Sequence, residues 1–415
     1  MRRTARSSTR TRRGIATAAG VVTCVGMAVT PAVALVSAGG GGGQGRGGSG
    51  PAHSAYKVVA SGLDNPRQLA FARNGALYVA EAGHGGAGPC TPSPDTPGVD
   101  VCFGTSGAVS VVTRGRARQV ITGLPSLAAQ VPTQGGQLPP GAQASGPSDV
   151  AILGRHHLAL TVGLGGDPAN RDTFSAVSSA GHLLGTVATA RANPPRAAFR
   201  RTGAGGVVQR GDLAAFEAVN NPAPPADAPD SNANAVIPDG HGFVAVDAGG
   251  NDLLRVSARG KVSLITTFPN STTTCTPPIP PQAVPTSVVR GPDHAYYVSE
   301  LTGFPFCEGG AVIWKVKDGH ASVYASGLTN VTDLAFDRRG RLYAVEIAEH
   351  GLQSGPMGAV VKIPRGGGDQ FRVVARNLLA PYGIALRGHS AYVTTGSILP
   401  ASAGGGQVVR IPLHR

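Results

Sequence analysis

The 415-residue sequence predicts an all-β fold, a six-bladed β-propeller whose last blade is closed by the N-terminal strand. Three observations support this prediction. A four-strand pattern recurs along the chain, the sequence after its first residues has no long amphipathic helical pattern, and the last copy lacks a strand that the N-terminus can supply. Four-stranded units repeated around an axis form a propeller, which leaves only short strand edges exposed.

Each copy of the pattern begins with a short apolar strand that is marked by proline or asparagine. These first strands are NPRQLAF, GPSDVAI, SNANAVI, VPTSVVR, NVTDLAF and APYGIAL. The second strands, after a polar turn, are ALYVAE, HLALTV, GFVAVD, AYYVSE, RLYAVE and AYVTTG. The third strands begin on or near glycine and are GAVSVV, GHLLGTV, NDLLRV, GAVIWKV, GAVVKI and GQVVRI.

The fourth strand is present in only five copies. These strands are ARQVITGL, DLAAFEAV, VSLITTF, ASVYASGL and FRVVARNL. The sixth copy stops at Arg415, while YKVVASGL, Tyr56 to Leu63, stands alone ahead of the first copy. We therefore expect this segment to be the outer strand of blade six. The second copy, about Gly146 to Asn221, follows the pattern least well.

The first 38 residues have the features of an export signal peptide. Arginines without any acid precede an Ala/Val/Gly-rich apolar stretch that ends in small residues, and the pattern fits either the Sec or the Tat route. A glycine-rich linker follows over 39–55, and the propeller is predicted over 56–415. No later apolar run reaches the roughly 20 residues that span a bilayer. We therefore expect a secreted protein without a membrane span.

The positive charge of the chain is partly a property of this signal. The formal charge of +13 falls to +7 when the six arginines of the signal are removed. A basic stretch from Arg191 to Arg210 lacks the interleaved aromatic residues of single-strand nucleic-acid binders. The sequence therefore predicts no nucleic-acid partner. We expect a monomer whose partner is an extracellular protein or an envelope component of unknown identity.

Four cysteines remain after the signal, and an even number in an exported chain indicates disulfides. If strands alternate in direction, the loops after the second strands and the loops between blades share one face. These are the long Pro- and Gly-rich loops, where function commonly lies. Both cysteine pairs fall on this loop face, which predicts the bonds Cys90–Cys102 and Cys275–Cys307.

The pattern places a carboxylate at the end of four of the second strands: Glu81, Asp247, Glu300 and Glu346. We expect these side chains to lie around one mouth of the channel. They would either accept backbone N–H bonds that shape the adjacent loops, or bind a cation such as calcium, which takes carboxylate oxygens as ligands. Carboxylates so close together would raise one another's pKa unless a cation neutralised them.

Two histidines, His84 and His350, follow in corresponding loops of blades one and five. Each is expected to be a base, a ligand or simply an exposed loop residue. The sequence contains neither a G-x-S-x-G nucleophile elbow nor an H-E-x-x-H zinc motif. No catalytic residue is therefore assigned.

Several phrases resemble one known family. The phrases SGLDNPRQLAF…GALYVAEAG, GDLAAFEAVNNPA, DSNANAVI and VDAGGNDLLRV look like the ScyD/ScyE family, exported proteins named after genes associated with scytonemin pigment biosynthesis. The resemblance covers about Tyr56 to Ile411 and implies a secreted six-bladed propeller similar to NHL-repeat propellers, which mostly act as binding platforms. By position it suggests Asp247, Asn251, Asp252 and Glu217 as site residues. After DSN, Ala233-Asn234-Ala235 stands where a Pro-Tyr-Gly-like run is expected from the family.

Two functions follow from these observations. The first is a non-catalytic binding scaffold that presents its loop face to a ligand or partner. The alternative is an extracellular propeller enzyme, a lactonase-like hydrolase or sugar dehydrogenase with a cation at the channel mouth. The sequence favours the first, because it offers no convincing base, nucleophile or complete ligand set.

Overall fold

The computed structural model describes residues 56–93, 96–154, 156–192, 203, 206–222, 228–271, 273, 275–276 and 278–413. The predicted signal peptide and linker lie outside the described residues, as does much of the basic stretch from Arg191 to Arg210. The described chain forms six antiparallel sheets in a ring. The prediction of a six-bladed β-propeller is confirmed.

The strands follow one another with few helices between them. In the first half of the chain they are β1 (Lys57–Leu63), β2 (Pro66–Phe71), β3 (Leu77–Glu81), β4 (Cys90–Pro92), β5 (Asp100–Thr113), β6 (Arg116–Ala129), β7 (Pro147–Ile152), β8 (His157–Val162), β9 (Thr186–Arg191), β10 (Val207–Asp212), β11 (Ala233–Asp239), β12 (Gly242–Asp247), β13 (Asp252–Val256) and β14 (Val262–Thr267).

In the second half they are β15 (Pro285–Arg290), β16 (Tyr296–Glu300), β17 (Ala311–Lys317), β18 (His320–Leu328), β19 (Val331–Phe336), β20 (Leu342–Glu346), β21 (Met357–Lys362), β22 (Arg372–Leu379), β23 (Ile384–Arg387), β24 (Ser390–Thr395) and β25 (Gly406–Pro412). The α-helices of the described chain are α1 (Arg171–Ser175) and α2 (Leu213–Asn220). Single 3-10 turns occupy Gln134–Gly136, Pro168–Asn170, Ser179–Leu183, Leu352–Ser354 and Ala401–Ala403.

The sheet order gives one blade for each copy of the sequence pattern. Blade one is β2-β3-β5-β6, with the short β4 also paired to β5. Blades two to five are β7-β8-β9-β10, β11-β12-β13-β14, β15-β16-β17-β18 and β19-β20-β21-β22. Blade six is β23-β24-β25-β1, so that its outer strand comes from the N-terminus of the described chain. The predicted closure of the ring is therefore confirmed.

Blade two departs from the sequence prediction. The segment DLAAFEAV, expected to be its fourth strand, is instead α2, and β10 takes the outer position. The third strand also begins later than expected, at Thr186. Asp212 caps α2 by accepting the N–H of Ala215 at 2.9 Å, and Asn221 ends it in the left-handed conformation. The alanine-rich interior favours a helix, which here connects blade two to blade three.

The second strands of the blades are buried because adjacent blades cover both of their faces. All five residues of β3 and of β20 are buried, and apolar residues occupy consecutive positions rather than alternate ones. Rings also bridge neighbouring blades, since Tyr297 of blade four lies edge-on to Phe336 of blade five at 5.0 Å between centroids. These interblade cores fix the positions of the loops.

Candidate functional site: the loop face and the channel

The strand directions place the loops after the second strands and the loops between blades on the same face. Both predicted disulfides, Cys90–Cys102 and Cys275–Cys307, are present on this loop face. Loops of neighbouring blades also meet there, because Asn65 donates its N–H to Leu399 O at 3.0 Å and its side-chain amide to Gly141 O at 2.9 Å. The loop face is therefore a connected surface.

The four carboxylates predicted at the channel mouth are each no more than 2% exposed. Three of them hold the segment just before the first strand of their own blade. Glu81 accepts the N–H of Asp64 at 2.7 Å, and Asp247 accepts that of Asn232 at 2.6 Å. Glu346 likewise accepts the N–H of Thr329 at 2.8 Å. Their hydrogen bonds therefore shape the loops.

The fourth carboxylate, Glu300, accepts the N–H of Val312 at 3.3 Å and the indole N–H of Trp314 in the third strand of its blade. Burial raises the pKa of Glu300 to about 8, and it raises the pKa values of Glu81 and Glu346 to about 7. In the described part of the chain, no group of three or more His, Cys, Asp and Glu side chains is arranged to hold a metal ion. A cation shared by these four carboxylates remains a prediction.

A different set of residues lines the centre of the channel. The second residue of each first strand, or its equivalent in blade six, forms a hydrogen bond to another blade or to a loop between blades, and none of these residues was among the predicted site residues. They are Arg67, Ser148, Asn234, Thr286, Thr332 and Tyr382. The signal was present in the aligned strands, where this position is polar or aromatic in every copy.

Asn234 connects four blades at the axis. Its side-chain oxygen Oδ1 accepts hydrogen bonds from Ser148 Oγ at 2.6 Å and Tyr382 Oη at 3.1 Å. Its amide nitrogen donates to Thr286 O at 2.6 Å. Gln68 Nε2 also donates to the backbone oxygen of Thr286, at 2.9 Å, which brings in blade one. The centre of the channel is therefore crossed by hydrogen bonds of the protein itself.

Arg67 and Tyr382 extend this network toward the loop face. The Arg67 guanidinium lies 4.7 Å from the centre of the Tyr382 ring and donates to Ala144 O at 2.7 Å. Burial lowers the pKa of Arg67. Tyr382 also belongs to an apolar cluster of loop residues from blades one, five and six: Leu138, Ala142, Ile347, Ala348, Ala380 and Ile398. Polar and apolar side chains together occupy the loop-face end of the channel.

The residues suggested by the family resemblance do come together, at the loop-face junction of blades two and three. Glu217 of α2 and Asp252 at the start of β13 are 1% and 0% exposed. A Cβ atom added to Gly250 would lie 3.3 Å from Glu217 Cδ and 3.6 Å from Asp252 Cγ. Both carboxyl groups therefore border the space beside Gly250.

The carboxyl groups at this junction differ in their hydrogen bonds. Asp247 is fully engaged, since it accepts Ser231 Oγ–H at 2.6 Å as well as three backbone N–H groups. Neither oxygen of Glu217 or of Asp252 has a hydrogen-bond partner among the described residues. Burial and the nearby carboxylates raise the pKa of Glu217 to about 7 and that of Asp252 well above its usual range.

Asn251, also suggested as a site residue, has a structural contact. Its side-chain oxygen accepts the N–H of Val284 at 2.8 Å, and its backbone is left-handed, with φ of 51°. Its carbonyl oxygen accepts the N–H of Phe268 at 2.8 Å. Asn251 thus ties the DAGGND loop of blade three to the segment entering blade four.

The two histidines have different surroundings. His84 Nδ1 lies 2.5 Å from Asp64 Oδ2, and the Asp64 side chain is 7% exposed, so the imidazole is oriented by a buried carboxylate. His350 Nδ1 lies 3.3 Å from Glu308 Oε1, and both side chains are more than 60% exposed. Of the two, His84 has the geometry of an oriented base.

No family model matches the chain, and no curated protein matches it. A PQQ-bound aldose sugar dehydrogenase from Streptomyces coelicolor is 12% identical, with a TM-score of 0.45 over 87% of this chain and 99% of that one. A catalytically inactive virginiamycin B lyase from Staphylococcus aureus, with quinupristin, is 10% identical, with a TM-score of 0.44 over 87% and 99%.

A protein of unknown function from Bacteroides thetaiotaomicron is 12% identical, with a TM-score of 0.46 over 86% of this chain and 75% of that one. At these values the similarities carry no information about the activity of this chain. Within the residues that the structure describes, no helix is long and apolar enough to cross a membrane.

Proposed function

We propose that this chain is an exported, non-catalytic binding protein of the ScyD/ScyE type, a monomer that contacts an extracellular protein or envelope component through its loop face. The observation that carries the proposal is the channel network centred on Asn234. Its polar groups already bond to one another, so they are not directed toward a substrate.

The position of the long loops supports the same function. A rigid ring holds them on one face, and exposed side chains there include Phe304, which is 49% exposed, and His350. Irregular loops on a rigid scaffold are the usual place for recognition. Two disulfides suit the oxidising environment outside the cell, and the arginine-rich first residues would direct export by the Sec or Tat route.

The enzyme alternative is favoured by one observation, the Asp64–His84 pair. A buried carboxylate that orients an imidazole is a common arrangement for a general base, and about half of the His84 side chain is exposed, at 51%. A lactonase-like hydrolase or sugar dehydrogenase would use His84 to remove a proton from water or from a sugar hydroxyl.

Co-sedimentation with envelopes isolated from the producing organism tests the binding function. The wild-type protein should sediment with the envelopes, and a Phe304→Ala, His350→Ala variant of the loop face should lose most of this binding. A matched variant of the opposite face, Arg259→Ser, Arg338→Ser, should bind like the wild type. Loss of binding in the second variant only would contradict the assignment of the face.

A further inference from the structure

Two buried carboxyl groups between blades two and three have no hydrogen-bond partner among the described residues. Glu217 and Asp252 are almost completely buried, and none of their four oxygens has a hydrogen-bond partner among the described residues. Burying an ionised carboxylate without a partner is strongly unfavourable. Native proteins rarely leave such groups unsatisfied, so something outside the described protein atoms is expected to bind them.

Gly250 lets both carboxyl groups approach the backbone of the DAGGND loop. A Cβ atom there would lie only 2.9 Å from Glu217 Oε2, so glycine is what allows this close approach. Asp247 is paired directly with Asp252 across β12 and β13. The oxygens of Asp247 accept hydrogen bonds from Ser231 and from backbone N–H groups. Asp247 therefore adds negative charge near the pair but no free oxygen ligand for an ion.

We propose that Glu217 and Asp252 together bind one divalent cation of the hard, oxygen-preferring class, and that this ion is Ca²⁺. Two carboxylates supply up to four oxygens to an ion that takes about 6–8, with water completing the shell. Mg²⁺ fits less well because it requires a near-ideal octahedron, and Zn²⁺ because it favours nitrogen and sulfur ligands. The ion would join α2 of blade two to β13 of blade three.

This site differs from the set of four strand-end carboxylates. Among those four, only Asp247 borders it, and Asp247 contributes charge without a free oxygen. No group of three or more His, Cys, Asp and Glu side chains is arranged to hold a metal ion in the described chain, and the proposed site has only two carboxylates. The competing explanation is that both carboxyl groups are simply protonated and bind no ion.

Calorimetric titration of the full exported protein, stripped with EDTA, separates these explanations. Ca²⁺ should bind at one site per chain and raise the Tm by about 2–5 °C at a hundredfold excess over Kd. Mg²⁺ should bind at least tenfold more weakly. Glu217→Gln and Asp252→Asn should each abolish the response, whereas Glu346→Gln, which alters a buried carboxylate of the other set, should retain it.

A Gly250→Ala variant tests the site without removing a ligand. Gly250 does not have a positive φ, so alanine is tolerated by the backbone there, but its methyl group would occupy the space beside Glu217. The affinity for calcium should fall at least tenfold. This variant tests the site even if Asp252→Asn does not fold. Absence of calcium binding in the wild type, or full binding in Gly250→Ala, would overturn the proposal. Loss of binding only in Glu346→Gln would overturn it as well.

Discussion

Replacing Leu63 by alanine should destabilise the whole ring, because Leu63 is a core residue of the strand that closes it. Leu63 is 1% exposed and packs with Leu77, Val79 and Val408 in the core between blades six and one. Buried Leu→Ala replacements lose about 2–5 kcal/mol of folding free energy, since a cavity remains where the side chain was. At a closing strand, this loss weakens the contact between the first and last blades.

The matched control is Val58→Ala on the same strand. Val58 is 46% exposed, so its loss should change the free energy of unfolding by no more than about 0.5 kcal/mol. Urea unfolding followed by circular dichroism measures both variants. Equal midpoints for Leu63→Ala and Val58→Ala would refute the closure by β1.

Three further predictions concern the channel, the pH response and the disulfides. Asn234→Ala should cost about 2–3 kcal/mol in urea unfolding, because it leaves the buried hydroxyls of Ser148 and Tyr382 across the channel without their acceptor; a loss below about 1 kcal/mol would contradict the network. Glu300 has a folded pKa of about 8, above its ordinary value, so the folded state binds more protons and stability falls as pH rises from about 4.5 to 8. The wild type should therefore lose stability relative to Glu300→Gln between pH 5 and pH 8, and a pH-independent difference would be contrary evidence. Replacing both members of Cys275–Cys307 by serine should cost about 4 kcal/mol, more than the roughly 3 kcal/mol for Cys90–Cys102, because the closed loop is longer; the reverse order in urea midpoints would argue against this entropic account.

The ring could be predicted from the sequence because its evidence is repetitive. The sequence shows both that the sixth copy has no fourth strand after Ile411 and that the strand at Tyr56–Leu63 belongs to no copy. One closed sheet, in which this strand completes blade six, explains both observations. The disulfides followed from the same alignment, since strand direction assigns each loop to a face. A repeated sequence pattern thus predicts the architecture of the ring well.

The helix α2 was missed for the opposite reason. Alignment to the other blades made DLAAFEAV a strand, although its Leu, Ala and Glu content favours a helix and Asp212 provides a cap. Local propensity should have outweighed the repeat in a copy that follows the pattern poorly. The error matters because the helix brings Glu217 to Asp252.

The channel residues show what the sequence could not supply. Arg67, Asn234 and Tyr382 occupy one position of the pattern, but their side chains differ, and their mutual contacts depend on distances across the ring. The strand-end carboxylates drew attention because they are alike. A residue type that is repeated in every blade often has the same structural role in each. The hydrogen bonds across the axis are instead formed by residues that differ between blades.

A turnover measurement on the exported protein decides whether this propeller binds without catalysing a reaction. Sugar lactones and aldose sugars, the latter with an electron acceptor, should be supplied to wild type and to His84→Ala in the presence of Ca²⁺. Rates equal to the protein-free background are expected for both proteins. Turnover by the wild type that disappears in His84→Ala would contradict this expectation and identify the Asp64–His84 pair as the base of an enzyme.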